Sequence, residues 1–429
     1  MNDLYFIASL AIFIFSLVLV IKKPRGIGIG YSASIGAIIT VLAGFTTLED
    51  FLNVISIVWN ATLTFISVVI ISLVFDEAGV FEYLATKILA KSNGSGRRLF
   101  FLTILGGSFI SAFFANDGTA LVLTPVIVAL LYRAGMDKKA IFAYVMAVGF
   151  IADSASIPLL VSNLVNIIAA TYFGIEFFSY MEVMVLPDIV SITASLLFLF
   201  VYFRKYIPER IPENVEFRQE EIKDPFIFKL FFPVILSLII LYSIGGLYNI
   251  PVSIVSMPAA LIMLLLARRG KKIDYVKPVK EAPWQIILFS IGMYIVVYAL
   301  AQNGLISIMA IAIGSFQGLP YGMNFVLTGF LFAFSASFMN NLPSVLLGDL
   351  TLQHLHMTGL ILLTNAIGND IGPKFTPIGS LATLVWLYML DRKAKMKIRT
   401  VDYMKLGLAV GIPVLFLTLM TLWLESLFI

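Results

Sequence analysis

The residues of this chain that could do chemistry are charged and amide side chains set inside hydrophobic runs. Lys374 and Asp370 lie in the polar segment 369–380, between two apolar stretches, and Asp153 interrupts an earlier apolar stretch. Burying an ionisable group at membrane depth is costly, so such a group is by default a candidate for a transport pathway. These positions predict a route for a solute or an ion across a membrane.

Amide side chains lie at two further interruptions of the hydrophobic runs. Asn116 occupies one of them, next to Asp117, and Asn340 and Asn341 occupy the other. Each carboxamide offers hydrogen-bond donors and an acceptor. Such a surface suits a small, hydroxyl-rich and largely neutral solute. A single Asn or Ser in a membrane helix often makes only an interhelical hydrogen bond, and that plainer role stays open for each of these residues.

Three carboxyl groups, Asp117, Asp153 and Asp370, are candidates for carrying protons. A carboxyl group in a medium of low dielectric can take up and release protons near neutral pH. Lys374 is either a counter-charge to one of them or a group whose deprotonation is linked to solute binding. Two structural alternatives remain. Asp153 could cap a half-helix that begins at Ser154, and Asp370 could form a local ion pair with Lys374, one helical turn away.

The composition requires a membrane to position these residues. The 429 residues are 60% hydrophobic and 13% charged, with a mean hydropathy of +0.99, whereas soluble proteins carry about 25% charged residues. The net charge of +4 comes from basic loop residues and predicts no nucleic-acid partner. The absence of cysteine excludes disulfides, thiolate metal sites and cysteine nucleophiles. We expect an all-α polytopic membrane protein without enzyme activity, cofactor or metal; His354 and His356 are expected in an exposed outer loop near Asp349.

Apolar runs predict about ten transmembrane helices. Uninterrupted runs lie near 4–21, 29–45, 57–75, 184–203, 226–244, 252–267, 284–300, 305–320 and 404–424. Basic clusters occupy alternate loops, beginning with Lys22, Lys23 and Arg25 after the first run. By the positive-inside rule these loops are cytoplasmic, which places both termini outside.

Four longer runs are interrupted by polar residues. The run 99–132 has basic residues on both flanks, so it is expected to enter and leave on the cytoplasmic side as a re-entrant hairpin, with its tip near 116–119. The run 322–348 has no basic flanks, and we expect a second hairpin that enters from outside. The runs 140–172 and 357–390 predict two broken helices. Non-helical backbone at membrane depth is tolerated only where protein or a water-filled cavity covers it.

A weak internal repeat relates the two halves of the chain. A shift of 225 residues aligns Trp59 with Trp284 and Asn116 with Asn341. Two halves of opposite orientation, each with interrupted helices, are typical of secondary transporters that bind their solute at the midplane. We predict a first inverted repeat at 1–203, a cytoplasmic linker at 204–225 and a second inverted repeat at 226–429.

Several blocks of sequence resemble the arsenite efflux pump family ArsB. They are FANDGTAL at 114–121, GFIADSASIPL at 149–159, VSNLVNI at 161–167 and FTPIGSLATL at 375–384. The similarity runs nearly end to end, and more distantly the plan resembles the ion-transporter superfamily. The resemblance implies export of arsenite and antimonite driven by proton entry, docking of a soluble ArsA-type ATPase, and a location in a bacterial or archaeal inner membrane. The superfamily implies an elevator, in which a transport domain moves past a scaffold.

These lines converge on one hypothesis for the site. Asp117 would bind the coupling proton, with Asp153, Asp370 and Lys374 as further proton-coupling candidates. The candidate substrate-binding residues are Asn116, Thr119, Ser162, Asn340, Asn341, Ser344, Ser380 and Thr383. Arsenite at neutral pH is an uncharged trihydroxide, which amides and hydroxyls match.

Two other functions remain open. Distant symporters of the superfamily carry a Ser-Asn-Thr tip. This chain has Ala115-Asn116-Asp117 and Asn340-Asn341-Leu342 instead, and this favours protons over sodium. A sodium–proton antiporter or a sodium-coupled anion symporter is the first alternative. The second is a channel subunit that works only with an ATPase.

Overall fold

A computed structural model describes residues 3–211, 222–393 and 395–428, without the side chains of residues 117–122, 385, 388, 392 and 393. Within these ranges the chain forms α-helices joined by short turns, and no β-strand. The helices are α1 Asp3–Lys22, α2 Ile29–Leu42, α3 Leu48–Glu77, α4 Val80–Lys91, α5 Gly96–Phe113, α6 Asn116–Arg133, α7 Lys138–Ser154, α8 Leu164–Tyr172, α9 Phe177–Phe203, α10 Pro225–Lys229, α11 Phe231–Leu247, α12 Val252–Gly270, α13 Lys277–Glu281, α14 Trp284–Leu300, α15 Ile306–Phe316, α16 Tyr321–Met339, α17 Asn341–His354, α18 Leu363–Ile371, α19 Leu381–Lys393 and α20 Thr400–Glu425. Most of the predicted linker, residues 212–221, lies outside the described ranges.

Seven helical segments of the described chain are long and apolar enough to cross a membrane. They are Asp3–Lys22, Leu48–Glu77, Phe177–Phe203, Val252–Gly270, Lys277–Phe316, Tyr321–Met339 and Thr400–Glu425. Shorter apolar helices include α2 and α11. The segment Lys277–Phe316 contains a π-helical turn at Ala301–Leu305, which separates the two spans predicted there. The prediction of an all-α polytopic membrane protein is confirmed, and the number of about ten transmembrane helices stays a prediction.

Helix breaks occupy the polar interruptions of the sequence. Phe114 and Ala115 separate α5 from α6, so the break lies just before the tip position expected from the sequence. Asn340 alone separates α16 from α17; its φ of 80° is a conformation that asparagine adopts more readily than most residues. The Asn340 side chain also accepts a hydrogen bond from the Leu342 backbone N–H at 3.3 Å, which caps the first turn of α17.

Two longer breaks follow the helix pairs. Between α7 and α8 the chain passes Pro158 and a 3₁₀ turn at Leu160–Ser162, and Asn163 caps α8. Between α18 and α19 it forms a 3₁₀ turn at Gly372–Phe375 and then passes Pro377. Proline removes a backbone donor and clashes with the preceding helical turn, so helices end near these positions. The breaks leave peptide groups free to bind side chains from other segments.

Small residues let the helices pack closely. α2 packs along α14, where a Cβ added at Gly292 would lie 2.7 Å from the Ala33 backbone carbon. α3 packs along α12, α16 along α18, and α20 along α9. Close approach at small residues is the usual source of packing energy between membrane helices. Inverted repeats, the domain boundaries at 203 and 226, and the division into a scaffold and a transport domain stay predictions.

Candidate functional site

The centre of the candidate site is a buried ion pair between Lys374 and Asp153. The Lys374 Nζ lies 2.6 Å from the Asp153 Oδ2, and the two side chains are 4% and 2% exposed. The same Nζ donates a hydrogen bond to the Gly149 carbonyl at 2.6 Å. Asp153 belongs to the last turn of α7, and Lys374 to the 3₁₀ turn after α18. The pair therefore ties together the two interrupted segments of the chain.

This geometry decides both structural alternatives. The cation that could have paired locally with Asp370 pairs with Asp153 instead, because the turn Gly372–Phe375 is 3₁₀ and does not continue α18. The alternative in which Asp153 caps a half-helix from Ser154 is wrong, because α7 includes both residues and ends at Ser154.

Asn116 connects the first helix break to the ion pair. Its Nδ2 donates to the Asp153 Oδ1 at 2.7 Å, and its side chain is buried. Asn116 is the first residue of α6, so the carboxylate of Asp153 contacts the tip between α5 and α6 on one oxygen and Lys374 on the other. A change in the charge of Asp153 would therefore act on both partners. The side chains of Asp117 and Thr119 lie outside the described residues.

Asp370 is held by an amide at the break between α7 and α8. The Asn163 Nδ2 donates to the Asp370 Oδ1 and, at 3.2 Å, to the Ser156 hydroxyl. The Ser156 hydroxyl donates in turn to the Asp153 carbonyl at 2.7 Å. Asp370 is fully buried. Both candidate carboxylates thus adjoin the same break, one with a cation and one with an amide.

The tip between α16 and α17 docks on the break before α19. The Asn340 Nδ2 donates to the Ile378 carbonyl at 3.1 Å, and the Asn341 backbone N–H donates to the Gly379 carbonyl at 2.8 Å. Both asparagines are buried, as is Ser380, which follows Gly379. A Cβ at Gly379 would lie 2.5 Å from the Pro373 Cα, so this turn is tight enough to require glycine.

The remaining predicted hydroxyl residues differ in their partners. The Ser162 hydroxyl donates to the Ala112 carbonyl near the first tip. The Thr383 hydroxyl lies 3.3 Å from the Tyr403 hydroxyl. The Ser344 hydroxyl is buried without a hydrogen-bond partner among the described atoms. The structure therefore brings Asn116, Asp153 and Lys374 into one cluster, while the others adjoin the breaks around it. The binding roles assigned to these residues stay predictions.

Several polar residues that the structure buries were not identified as candidate site residues from the sequence. Asp188 lies in α9 and Asp349 in α17, and both are buried, although Asp349 was noted only as a neighbour of an exposed loop. His354 and His356 are exposed, as expected. A single acid inside an apolar run was the signal that could have identified both acids. The buried amides that were not assigned include Asn163, Asn166, Asn365 and Asn369.

A cavity of about 500 Å³ lies between α6 and α19, bordered by Lys138 and Lys395. Lys138 begins α7 and Lys395 follows α19, and both lie in regions predicted to be cytoplasmic. Thr124 lines the cavity, and its hydroxyl accepts a hydrogen bond from the Trp386 Nε1 at 3.0 Å. Thr124 is eight residues after Asn116, a distance of about 12 Å along a helix. The cavity therefore borders α6 about two helical turns from the first tip.

Gly407 of α20 allows the backbone of Lys374 to approach closely. A Cβ at Gly407 would lie 1.7 Å from the Lys374 carbonyl oxygen, so Gly407→Ala must displace the turn that carries the lysine. Glycine to alanine in a helix otherwise stabilises by about 1 kcal/mol. We expect Gly407→Ala to lower the thermal unfolding temperature of the detergent-purified protein and to reduce export.

Gly314→Ala is the matched control for this change, because Gly314 is helical and a Cβ there would meet no atom within 4 Å. Its unfolding temperature should equal or exceed that of the unsubstituted protein. Equal unfolding temperatures for the two variants would contradict the contact between Gly407 and Lys374.

Comparison with known proteins identifies the family. The family model described as arsenical pump membrane protein, ArsB, matches residues 8–425. An arsenical pump membrane protein of Escherichia coli K12 is 45% identical over 423 residues, covering 97% of this chain and 98% of the relative. A protein of the same description from Yersinia enterocolitica is 42% identical over 422 residues, covering 96% and 97%.

A solved structure supports the fold. The YdaH transporter of Alcanivorax borkumensis, described as having an unusual topology, matches with a TM-score of 0.52 over 89% of this chain and 90% of that one. The sequence identity is 14%, so this likeness concerns the fold alone. On the match to the family model and the identity to its members, the chain belongs to the family of arsenical pump membrane proteins.

Proposed function

We propose that this protein exports arsenite and antimonite from the cytoplasm in exchange for protons. The observation that carries the proposal is the buried cluster of Asn116, Asp153 and Lys374, in a chain of the arsenical pump family. The cluster joins a helix tip, a carboxylate and a cation in one hydrogen-bonded unit. Protonation of the carboxylate would change its attraction to both partners at once, which is what coupling between a proton and a solute requires.

The chemistry around the tips supports a neutral, hydroxyl-bearing substrate. Arsenous acid is an uncharged trihydroxide near neutral pH, and antimonite has the same form. The tips offer amide groups at Asn116, Asn340 and Asn341, and the breaks add backbone groups and hydroxyls. A neutral substrate needs no fixed counter-charge, which leaves the charged residues for protons. Because the chain has no cysteine, binding through arsenic–thiolate bonds is excluded.

Asp117 is the proposed carrier of the coupling proton, with Asp153, Asp370 and Lys374 as further candidates. An isolated charge in an apolar environment is strongly disfavoured unless a partner or a proton compensates it. Asp153 has Lys374 as its partner, whereas Asp370 contacts the amide of Asn163. Burial therefore favours a bound proton more strongly at Asp370, which has a neutral partner, than at Asp153, whose charge is balanced by Lys374.

The proton gradient is the proposed energy source, without a cofactor. An elevator movement of the tips and broken helices would carry the site between the two sides. We place the protein in the inner membrane of a bacterium or an archaeon, with both termini outside. An ArsA-type ATPase would dock on the basic cytoplasmic loops. These features rest on the distribution of basic residues and on the family.

The proposal is tested by arsenite uptake into everted membrane vesicles from cells that lack an ATPase partner. We expect a proton gradient alone to drive accumulation, an uncoupler to abolish it, and removal of sodium to leave it unchanged. Antimonite should compete with arsenite. Accumulation that requires sodium would favour the symporter alternative, and accumulation that requires ATP and the partner would favour the channel subunit.

A further inference from the structure

Asp349 is a buried carboxylate outside the cluster described above. It lies in α17, eight residues after the tip residue Asn341, and its side chain is fully buried. Its Oδ1 accepts a hydrogen bond from the Asn365 Nδ2 at 2.8 Å, and its Oδ2 has no hydrogen-bond partner among the described atoms. No cationic side chain of the described residues lies within salt-bridge distance of it. The negative charge of an ionised Asp349 would have no positive partner here, so burial favours the protonated carboxyl group.

A line of amides connects Asp349 to the candidate site. The Asn365 Nδ2 also donates to the Val345 carbonyl at 2.8 Å, which fixes Asn365 against α17. The Asn369 Nδ2 donates to the Asn365 Oδ1 at 2.7 Å, one turn further along α18. Asn369 is followed directly by Asp370, the second carboxylate of the site. Hydrogen bonds thus lead from Asp349 along α18 to the residue next to Asp370.

The other groups that face Asp349 are neutral and polar. Tyr294 of α14 and Tyr172 of α8 both lie close enough to interact with its charge. The Tyr294 hydroxyl is buried and unpartnered among the described atoms, and the Tyr172 hydroxyl donates to Gln353 in an exposed contact. Gln353 lies one turn beyond Asp349 toward the end of α17, which the positive-inside rule places outside. Asp349 is therefore one helical turn from an exposed polar pair, Gln353 and Tyr172, at the outer end of α17.

We propose that Asp349 is a further proton-binding carboxylate of this transporter, loaded from the outer side and connected through Asn365 to Asn369, the residue next to Asp370 in α18. The inference rests on the proposed proton exchange and adds a residue to it. In this scheme a proton from outer water binds the ionised Asp349 carboxylate, which has no cationic partner among the described residues, and the proton is released to cytoplasmic water after the tips have moved.

The experiment compares two kinds of arsenite flux for Asp349→Asn. Asparagine keeps an oxygen that accepts from Asn365 but cannot carry a proton. We expect net, proton-driven accumulation of arsenite in everted vesicles to fall about tenfold or more, because an essential ionisable group inside the membrane is removed. Exchange of radiolabelled for unlabelled arsenite, which moves no net protons, should persist. Glu49→Gln, an exposed acid in the first turn of α3, is the matched control and should leave both fluxes unchanged.

Two results would overturn the inference. Net accumulation by Asp349→Asn at the level of the unsubstituted protein would show that the carboxyl group carries no essential proton. Parallel loss of net flux and exchange in a folded variant would assign Asp349 a structural role only. Failure of the unsubstituted protein to accumulate arsenite would instead refute proton exchange itself, whatever the variant does.

A chemical measurement covers the case in which the variant does not fold. A hydrophobic carbodiimide reacts with protonated carboxyl groups buried in membranes, and mass spectrometry locates the adduct. In the unsubstituted protein we expect the peptide that contains Asp349 to be modified more strongly as the outer pH falls. Labelling at Asp349 that is absent or independent of outer pH would contradict loading from that side.

Discussion

Replacing Lys374 with methionine is expected to abolish arsenite export and to lower the yield of folded protein. The side chain is buried beside Asp153 at 2.6 Å, so its removal leaves a carboxylate in the core without its cation. Removing one partner of a buried pair costs about 3–5 kcal/mol in typical proteins. Because Lys374 also bonds to the Gly149 carbonyl, the contact between α7 and the turn before α19 is lost as well. Arsenite uptake into everted vesicles measures export, and the monodisperse peak of the detergent-purified protein in size-exclusion chromatography measures the yield of folded protein.

The double variant Asp153→Asn with Lys374→Met separates stability from transport. It removes both charges, and replacement of a whole buried pair is often neutral for stability. We expect the yield of folded protein to recover while export stays absent. Lys405→Met, at an exposed lysine of α20, should change neither quantity. Export by the double variant would show that the pair is structural and takes no part in coupling.

Asp117→Asn is the second change with a large expected effect. The hypothesis that Asp117 carries the coupling proton rests on its position next to Asn116 at the start of α6. Asparagine keeps the size and polarity of the side chain and loses the proton. We expect proton-driven export to disappear while the protein remains folded, as judged by yield and thermal unfolding.

Asp137→Asn is a suitable control for Asp117→Asn. Asp137 is exposed and caps α7 by accepting from the Ala140 N–H at 2.7 Å, and asparagine caps helices about as well as aspartate. The control should export normally. Export by Asp117→Asn at the level of this control would remove Asp117 from the mechanism and would direct attention to Asp153 and Asp370.

The sequence predicted where the helices break but not which partners meet there. Polar residues inside apolar runs marked all four interruptions, because hydrophobic periodicity and proline positions are local properties. The partner of Lys374 was not local. Spacing along a helix left Asp370 open as a local partner, but the 3₁₀ turn at Gly372–Phe375 places the lysine against α7 and Asp153. Which carboxylate pairs with Lys374 depends on how segments distant in the sequence pack together.

The buried acids Asp188 and Asp349 were missed for a related reason. Each lies among apolar neighbours, and the hydropathy averaged over a long window tolerates one buried acid. The amides that accompany such acids lie on other segments, as Asn365 does for Asp349. Burial and partners therefore had to be read from the fold, whereas the family was already evident from blocks such as the one at 149–159.

Proton exchange is tested most directly with purified protein in liposomes that contain a pH-sensitive dye, without sodium or ATP. Arsenite loaded inside and then diluted outside will leave down its gradient. We predict that protons enter as arsenite leaves, so the lumen acidifies, and that liposomes with Asp117→Asn show no such change. Arsenite efflux through the protein without acidification, or acidification only in the presence of sodium, would contradict arsenite–proton exchange.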